Sequence, residues 1–263
     1  MQKIISWNVA SVRARLPVLL NFLEQEQPDV VLLQEIKATE ETFPFLDFQL
    51  VGYQASISGQ KGYNGVAILT KSPMKRVSSI LPGFEEQARF IQAEIGDNTV
   101  LVCVYVPNGN PPEKDPTDTS RLIYKLKWFQ ALTEQITQII SQGKQVILGG
   151  DFNVIERETD VYNPDLFRNS ALMIPDVQKA YQEVQNCGLA NMIRHFYPNP
   201  NTYTFWDFQG GAWPKNNGIL LDALLVSPEL VPLVQSAKIY KNVRAIKGTS
   251  DHAPIGIELR KWV

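Results

Sequence analysis

The sequence is poor in cysteine and histidine, with two of each in 263 residues. Two cysteines cannot build a disulfide framework, and Cys103 sits inside the apolar run Leu101-Val102-Cys103-Val104. Both Cys103 and Cys187 therefore read as reduced, core-packing thiols of a cytoplasmic protein. Charge of one sign is not in excess: 25 Lys and Arg face 27 Asp and Glu, a net charge of −2. A generic nucleic-acid coat would be basic, so any nucleic-acid partner has to be gripped by a local patch. No window approaches the ~18 apolar residues of a membrane span, and the apolar stretch near Met1 is too short for a signal peptide. Linkers rich in Pro, Gly or Ser, low-complexity segments and charge blocks are all missing, which points to one domain over residues 1–263. At 44% hydrophobic, 20% charged and 10% aromatic residues, the composition excludes disordered, collagen-like and coiled-coil chains.

What is present is an alternation of apolar runs and amphipathic segments. Ile4 to Trp7 and Val30 to Leu33 read as buried strands, with a helix from Leu16 to Gln27 between them. Residues 65–69, 90–95 and 100–106 read as further strands, and Asn108 to Pro112 as an irregular loop. A helix follows from Leu122 to Ser141, with Leu122, Leu126, Phe129, Leu132, Ile136 and Ile139 at helical spacing and Gly143 as its stop. Val146 to Leu148, Leu220 to Val226 and Ala253 to Ile257 supply late strands. The order helix, breaker, apolar strand, terminal acid occurs at residues 16–35 and again at 122–151, a hint of two similar halves. Such a mixture predicts an α/β sandwich with sheets packed together and helices outside.

Polar groups gather where the strands stop. Asn8, Glu35, Asp151, Asp222 and the pair Asp251-His252 lie at or beside the ends of apolar runs, and Asn153 is two residues past Asp151. Rigid strand ends hold side chains in fixed positions, which is where ligands collect. Clustered carboxylates repel unless a cation neutralises them, and a set of oxygen donors suits a hard ion, Mg²⁺ or Mn²⁺. Each signal has a plainer alternative. Glu35 could be a strand-end charge, Gly149 to Asn153 a turn, and Ser250 to His252 a loop with a satisfied histidine. His195 lies in a helix-like run without an acidic neighbour and reads as an ordinary residue.

The segments Trp7 to Arg15, Leu33 to Lys37, Tyr105 to Gly109, Gly149 to Asn153, Tyr203 to Phe208 and Ser250 to Pro254 together resemble the exonuclease III family of abasic-site endonucleases, in the family's order. The acidic motifs are shared with the wider endonuclease/exonuclease/phosphatase superfamily. Tyr-Val-Pro-Asn at 105–108, Thr-Phe-Trp at 204–206 and Arg-Ala-Arg at 13–15 are more specific to the DNA-repair branch. The resemblance implies a four-layer α/β sandwich of two packed mixed sheets flanked by helices, as in deoxyribonuclease I. It also implies Mg²⁺-dependent cleavage of double-stranded DNA 5′ to abasic sites, with 3′-to-5′ exonuclease and 3′-end processing, by a monomer that uses no membrane.

Matched residue by residue, the resemblance makes Glu35 the principal metal ligand, with Asn8, Asp151, Asn153, Asp251 and His252 around the ion. Asp151 would orient or deprotonate the attacking water, and Asn153 and Tyr105 would stabilise the transition state or leaving group. His252 would contact the scissile phosphate and Asp222 would orient His252. Phe205 would wall a pocket for an extruded, base-free sugar with Leu221 opposite, a sugar that is cheap to flip because it has no base to unstack. Arg13, Lys37, Lys61, Tyr63 and Arg89 are candidate DNA contacts, with Asn108 and Trp206 from the two specific segments. Two positions depart from the family pattern. Ala10 replaces an Asp or Asn near the metal, and Leu220 stands where relatives carry an arginine that grips the DNA backbone, unless it simply packs in the sheet. Rival readings are a lipid or inositol-phosphate hydrolase of the same superfamily and a DNA-binding relative without catalysis.

Overall fold

Strands that are apolar at every position, such as Val30 to Leu33, have two faces to cover and belong in the middle of a layered structure. The computed structural model, which describes residues 1–260, places them there. The chain opens with β1 (Gln2–Asn8), α1 (Val12–Glu26), β2 (Val30–Gln34), α2 (Phe45–Leu50), β3 (Gln54–Ser58) and β4 (Val66–Thr70). It continues through β5 (Met74–Ser78), β6 (Phe90–Ile95), β7 (Thr99–Tyr105), α3 (Ser120–Ser141), β8 (Gln145–Asp151) and α4 (Pro175–Asn186). The last third holds β9 (Ala190–Asn191), α5 (Met192–Phe196), α6 (Ala212–Lys215), β10 (Asp222–Val226), β11 (Val234–Ile239), α7 (Lys241–Arg244) and β12 (Ile255–Leu259).

These strands form two six-stranded mixed sheets, in the orders β11-β12-β1-β2-β4-β3 and β5-β6-β7-β8-β10-β9. Each sheet contains one parallel pair, β1 with β2 and β7 with β8, and each pair is joined through a helix, α1 or α3. The repeated helix-and-strand pattern of the sequence is therefore the repeated β-α-β unit at the centre of each sheet.

Residues alternate sides along the strands. Ile4, Val30, Leu32 and Ile68 meet Ile91, Leu101, Cys103, Ile147 and Leu224 between the sheets. On the outer face of the first sheet, Ile5, Trp7, Val31 and Leu33 cover Leu19, Phe22 and Leu23 of α1. On the outer face of the second, Val102, Val104 and Leu148 cover Trp128, Phe129, Leu132 and Ile136 of α3. Each large side chain so buried contributes about 1.5–3 kcal/mol. Cys103 is core as expected, and burial pushes its thiol up to about 12. Gly149 and Gly150 lie within β8 rather than in a turn. A Cβ on Gly149 would fall 2.7 Å from the Leu32 and Leu224 side chains, and one on Gly150 2.0 Å from the Val104 carbonyl oxygen, so the pair lets the strands close up beside Asp151.

Some boundaries and elements differ from the sequence reading. α1 starts at Val12 rather than Leu16, because Ser11 Oγ accepts the Ala14 N–H at 3.4 Å and the Val12 N–H donates to Ile36 O at 3.1 Å. β5 and β11 carry no clear apolar pattern because both are half-covered edge or near-edge strands. Leu220 is buried in the core between the sheets, with its N–H given to Asp160 O at 2.8 Å. The packing reading of that position is the right one; it offers no grip on a DNA backbone.

Candidate active site

The ends of β1, β2, β7 and β8 converge on one point. Asn8 closes β1, and its Nδ2 donates to Glu35 Oε1 at 2.9 Å and to Asp151 Oδ2 at 3.0 Å. One amide thus joins a carboxylate of the first sheet to a carboxylate of the second. Glu35 follows β2 with a left-handed backbone, φ +50°, a conformation that costs an L residue about 1–2 kcal/mol. It is held there by flanking hydrogen bonds: Ser11 N–H to Glu35 O at 2.8 Å and Ile36 N–H to Gly65 O at 3.1 Å. Asn153 is also left-handed, φ +50°, with its N–H on Asp151 Oδ1 at 2.9 Å and its Nδ2 on Val106 O at 2.9 Å.

His252 and Asp222 form a buried pair, Nδ1 to Oδ2 at 2.8 Å, and His252 Nε2 lies 3.6 Å from Asp151 Oδ2. The backbone around them is fixed from several sides. Trp7 Nε1 donates to His252 O at 3.1 Å, Thr204 Oγ1 accepts the Asp222 N–H at 3.3 Å, and Ser250 Oγ donates to Asn8 O at 2.6 Å. Asp251 is half-buried beside this group, and its Oδ1 accepts from Ser250 Oγ at 3.2 Å.

The charges are set unequally. Burial pushes the Glu35 carboxyl up, but hydrogen bonds from Lys37 and Asn8 and the Lys37 charge more than offset it, holding it below the usual range. Burial raises the Asp151 carboxyl, and Asp222 adds to the rise while the His252 charge opposes it; the net direction is up. Burial disfavours the His252 cation, yet Asp222 and Asp151 overcome it and push the imidazole up to about 10. Burial first, then the Glu35 and Asp151 charges, raise the Tyr105 phenol far above its ordinary value, so it stays a hydrogen-bond donor, and Glu35 is its partner.

The groups with charge and lone pairs to offer a metal at the convergence point are the carboxylate oxygens of Glu35 and Asp151, which fit a hard divalent cation better than a soft one. Lys37 Nζ already sits 2.8 Å from Glu35 Oε2, a positive charge compensating the carboxylate that such an ion would share. Among the described residues no cluster of three or more His, Cys, Asp and Glu side chains encloses an ion position. Two members of the expected ligand set are engaged otherwise. His252, as a cation with Nδ1 committed to Asp222, has no lone pair to give a metal. Asn153 gives one Nδ2 hydrogen to Val106 O and its Oδ1 accepts from Asn108 Nδ2 at 3.4 Å, which leaves it a second Nδ2 hydrogen and makes it a donor rather than a ligand.

The DNA-contact candidates divide similarly. Arg13 and Lys61 are exposed and Tyr63 is 60% exposed, while Arg89 stacks on the Tyr105 ring at 4.7 Å. Trp206 is fully buried, with Nε1 on Asn216 Oδ1 at 3.1 Å, and Leu221 is buried in a cluster with Ile155, Val161, Leu172 and Ile219. Trp206 has no face left for DNA, Leu221 lies in the cluster that Phe205 packs against, and the aromatic wealth of 196–213 is largely packing around Trp206 and Tyr203. Phe205 is half-buried, 4.9 Å from the His252 ring. It lines a depression of about 530 Å³ with Asn108, Tyr162, Phe167, Leu172 and Ile219. His195 is exposed, an ordinary residue. Sequence reasoning passed over Lys125, although its place in the apolar stripe of α3, between Leu122 and Phe129, was the available signal.

Comparison with known proteins agrees with this geometry. The model of the endonuclease/exonuclease/phosphatase family matches residues 5–252. The chain is 30% identical to exodeoxyribonuclease III of Haemophilus influenzae over 270 residues, which cover 98% of this chain and 100% of that protein. It superposes on an AP endonuclease of Archaeoglobus fulgidus with a TM-score of 0.93 at 30% identity, covering 99% of this chain and 100% of the other. The 3′ phosphatase NExo of Neisseria, solved with a product DNA hairpin, gives a TM-score of 0.93 at 31% identity over 99% of this chain and 100% of that one.

Proposed function

Since this chain belongs to the endonuclease/exonuclease/phosphatase family, and within it is a hydrolytic nuclease of the exodeoxyribonuclease III type, we propose that it cleaves duplex DNA 5′ to abasic sites and trims blocked 3′ ends. The observation that carries this reading is the Asn8 amide shared by Glu35 and Asp151, one carboxylate kept ionised and the other raised beside a cationic His252. Glu35, with Asn8 and Asp151 beside it, would hold Mg²⁺, for which Mn²⁺ is a substitute, in the manner of an ion bound through one or two carboxylates and water. The bound ion supplies neutralisation of charge on the phosphate oxygens.

The residues do the rest. Asp151, with its raised basicity, takes the proton from a water aligned for attack on phosphorus. His252, kept as an imidazolium by Asp222, directs Nε2–H toward a phosphate oxygen, where charge grows in the transition state. Tyr105, a neutral phenol, and Asn153 supply further donors on the side of the leaving oxygen. The Phe205 depression receives the extruded sugar. Its apolar side of Phe167, Leu172, Phe205 and Ile219 suits a base-free sugar, its polar side includes Asn108, Gln209 and Asn217, and its size leaves room for a 3′-terminal group as well. With a net charge of −2, DNA affinity has to come from local residues such as Arg13, Lys37 and Arg89.

The test uses an abasic-site duplex, an undamaged duplex and a phospholipid, each with Mg²⁺ and with chelator. Cation-dependent cleavage confined to the abasic duplex and to 3′ ends is expected. Hydrolysis of the phospholipid instead would transfer the chain to another branch of its family.

A further inference from the structure

We propose that Lys125 is a positioning residue for cleavage: its ammonium group fixes the backbones of Asn108 and Asn153 and so holds the two asparagine side chains at the reacting phosphate. This rests on the role proposed above for Asn153.

Lys125 occupies a core position on α3 and is fully buried, where a lysine is costly unless its donors are met. Nζ lies 2.6 Å from Asn153 O, 2.7 Å from Ala171 O and 3.0 Å from Asn108 O. Three acceptors use the three N–H bonds of an ammonium and leave none over. Burial lowers its pKa to about 7 while the Asp151 charge opposes the fall, and only the charged form has a donor for each of the three oxygens. Among the described residues no carboxylate accepts from Nζ; the cation is caged by carbonyls.

Those carbonyls lie in three stretches of two connections: Asn108 after β7, and Asn153 and Ala171 near the two ends of the segment between β8 and α4. Other hydrogen bonds tie these stretches in pairs, such as Asn153 Nδ2 to Val106 O at 2.9 Å and Ile155 N–H to Leu172 O at 2.6 Å, whereas the Lys125 ammonium joins all three at one atom. Asn110 Oδ1 ties the first to the third, accepting from Ala171 N–H at 2.8 Å and Ser170 Oγ at 3.0 Å. Asn153 keeps a left-handed backbone, and its peptide carbonyl is aimed at Lys125 while its side chain meets Asn108. The lysine stem is read too: Gly109, at φ +85°, lies so close that a Cβ there would come 2.7 Å from Lys125 Cδ. Asn108 and Leu172, neighbours of the pinned carbonyls, both line the Phe205 depression.

A lysine that only stabilises the fold and one that acts through Asn153 differ in coupling. The experiment measures single-turnover cleavage of an abasic duplex at saturating DNA for the wild type, Lys125→Met, Asn153→Ala and the double variant, with thermal melts and DNA binding in chelator. Lys125→Met is expected to cut about 10- to 100-fold more slowly, the range a displaced catalytic group gives, with DNA affinity within about threefold. The double variant should be within about threefold of Asn153→Ala, since the two act as a unit. Losses that multiply, or a Lys125→Met rate near that of the wild type, overturn the proposal while leaving the active-site reading intact. Full activity in Asn153→Ala overturns both. Should Lys125→Met not fold, Gly109→Ala, which presses on the lysine stem, carries the same test: a slower rate with no further loss on adding Asn153→Ala supports the proposal, and an additive loss refutes it.

Discussion

Glu35 and Asp151 occupy matching places in the two sheets. Each stands at the end of the second strand of a β-α-β unit, in the fourth position of its sheet, and the same Asn8 amide reaches both. Their surroundings are opposite. Glu35 has Lys37 at 2.8 Å and stays ionised; Asp151 is buried with a second carboxylate nearby and is raised. The first strands diverge as well, ending in an amide, Asn8, on one side and a phenol, Tyr105, on the other. A symmetric frame thus delivers two carboxylates to one point, and their environments suit them to the different parts proposed above, Glu35 as the principal ligand and Asp151 as the base.

The comparison breaks hardest at Asp151. Asp151→Asn should lose about four decades of turnover, roughly 5.4 kcal/mol of transition-state stabilisation, and bind DNA as well as before. Because the carboxyl is raised, the wild-type rate should climb with pH at values well above the ordinary carboxylate pKa of about 3.9. The residual rate of the variant should be flat in the same window; equal loss of binding and turnover would make Asp151 structural. Glu35→Gln should cost about three decades, roughly 4 kcal/mol. Unlike the first loss, this one should be partly recovered at high Mg²⁺, because the amide weakens ion affinity rather than removing a base. Near-normal turnover at low Mg²⁺ would remove Glu35 as principal ligand.

His252 ties the two sides together and has a signature in stability. Its folded pKa is raised above the ordinary value of about 6.5, so the native state binds more protons than the unfolded chain in between. The stabilisation is complete below about 6.5 and is lost as pH rises toward its folded value of about 10. Melting temperatures of the wild type should therefore fall between pH 7 and 10 more than those of His252→Gln; parallel curves would mean an uncharged imidazole. In turnover, His252→Gln and Asp222→Asn should each cost nearly what the double variant costs.

The frame and the residues of the candidate site were legible in the sequence for one physical reason: continuous apolar strands need covering on both faces, and a polar residue at or just beyond either end of such a run stands out. Asn8, Glu35, Asp151, Asp222 and His252 all carry that mark. What the sequence hid was burial off the strands. Trp206 and Leu221 lie in segments where motif and core share the same aromatic and aliphatic residues, so only packing separates wall from filling. Lys125 was masked by its charge, since a lysine within a helical stripe reads as surface until carbonyls are found around it. The edge strand β5 was hidden because half-exposed strands carry no sharp alternation.

The smallest effect should come from a residue of the depression that lies outside both sheets. Phe205 sits outside the strands, half-buried, with its ring against His252 and its face on the depression. Phe205→Ala should widen that depression and lower discrimination between abasic and intact sites by about tenfold, roughly 1.4 kcal/mol, the scale on which an apolar pocket selects by fit. Turnover on the abasic duplex should change less, because Asp222 still holds the imidazole. A stability loss is expected alongside, since a large-to-small change at a half-buried ring removes packing. The ratio of cleavage rates on abasic and intact duplexes, set beside a thermal melt, separates the two consequences. A lower melting temperature with an unchanged ratio would make Phe205 a support for His252 and place the selective wall elsewhere in the depression.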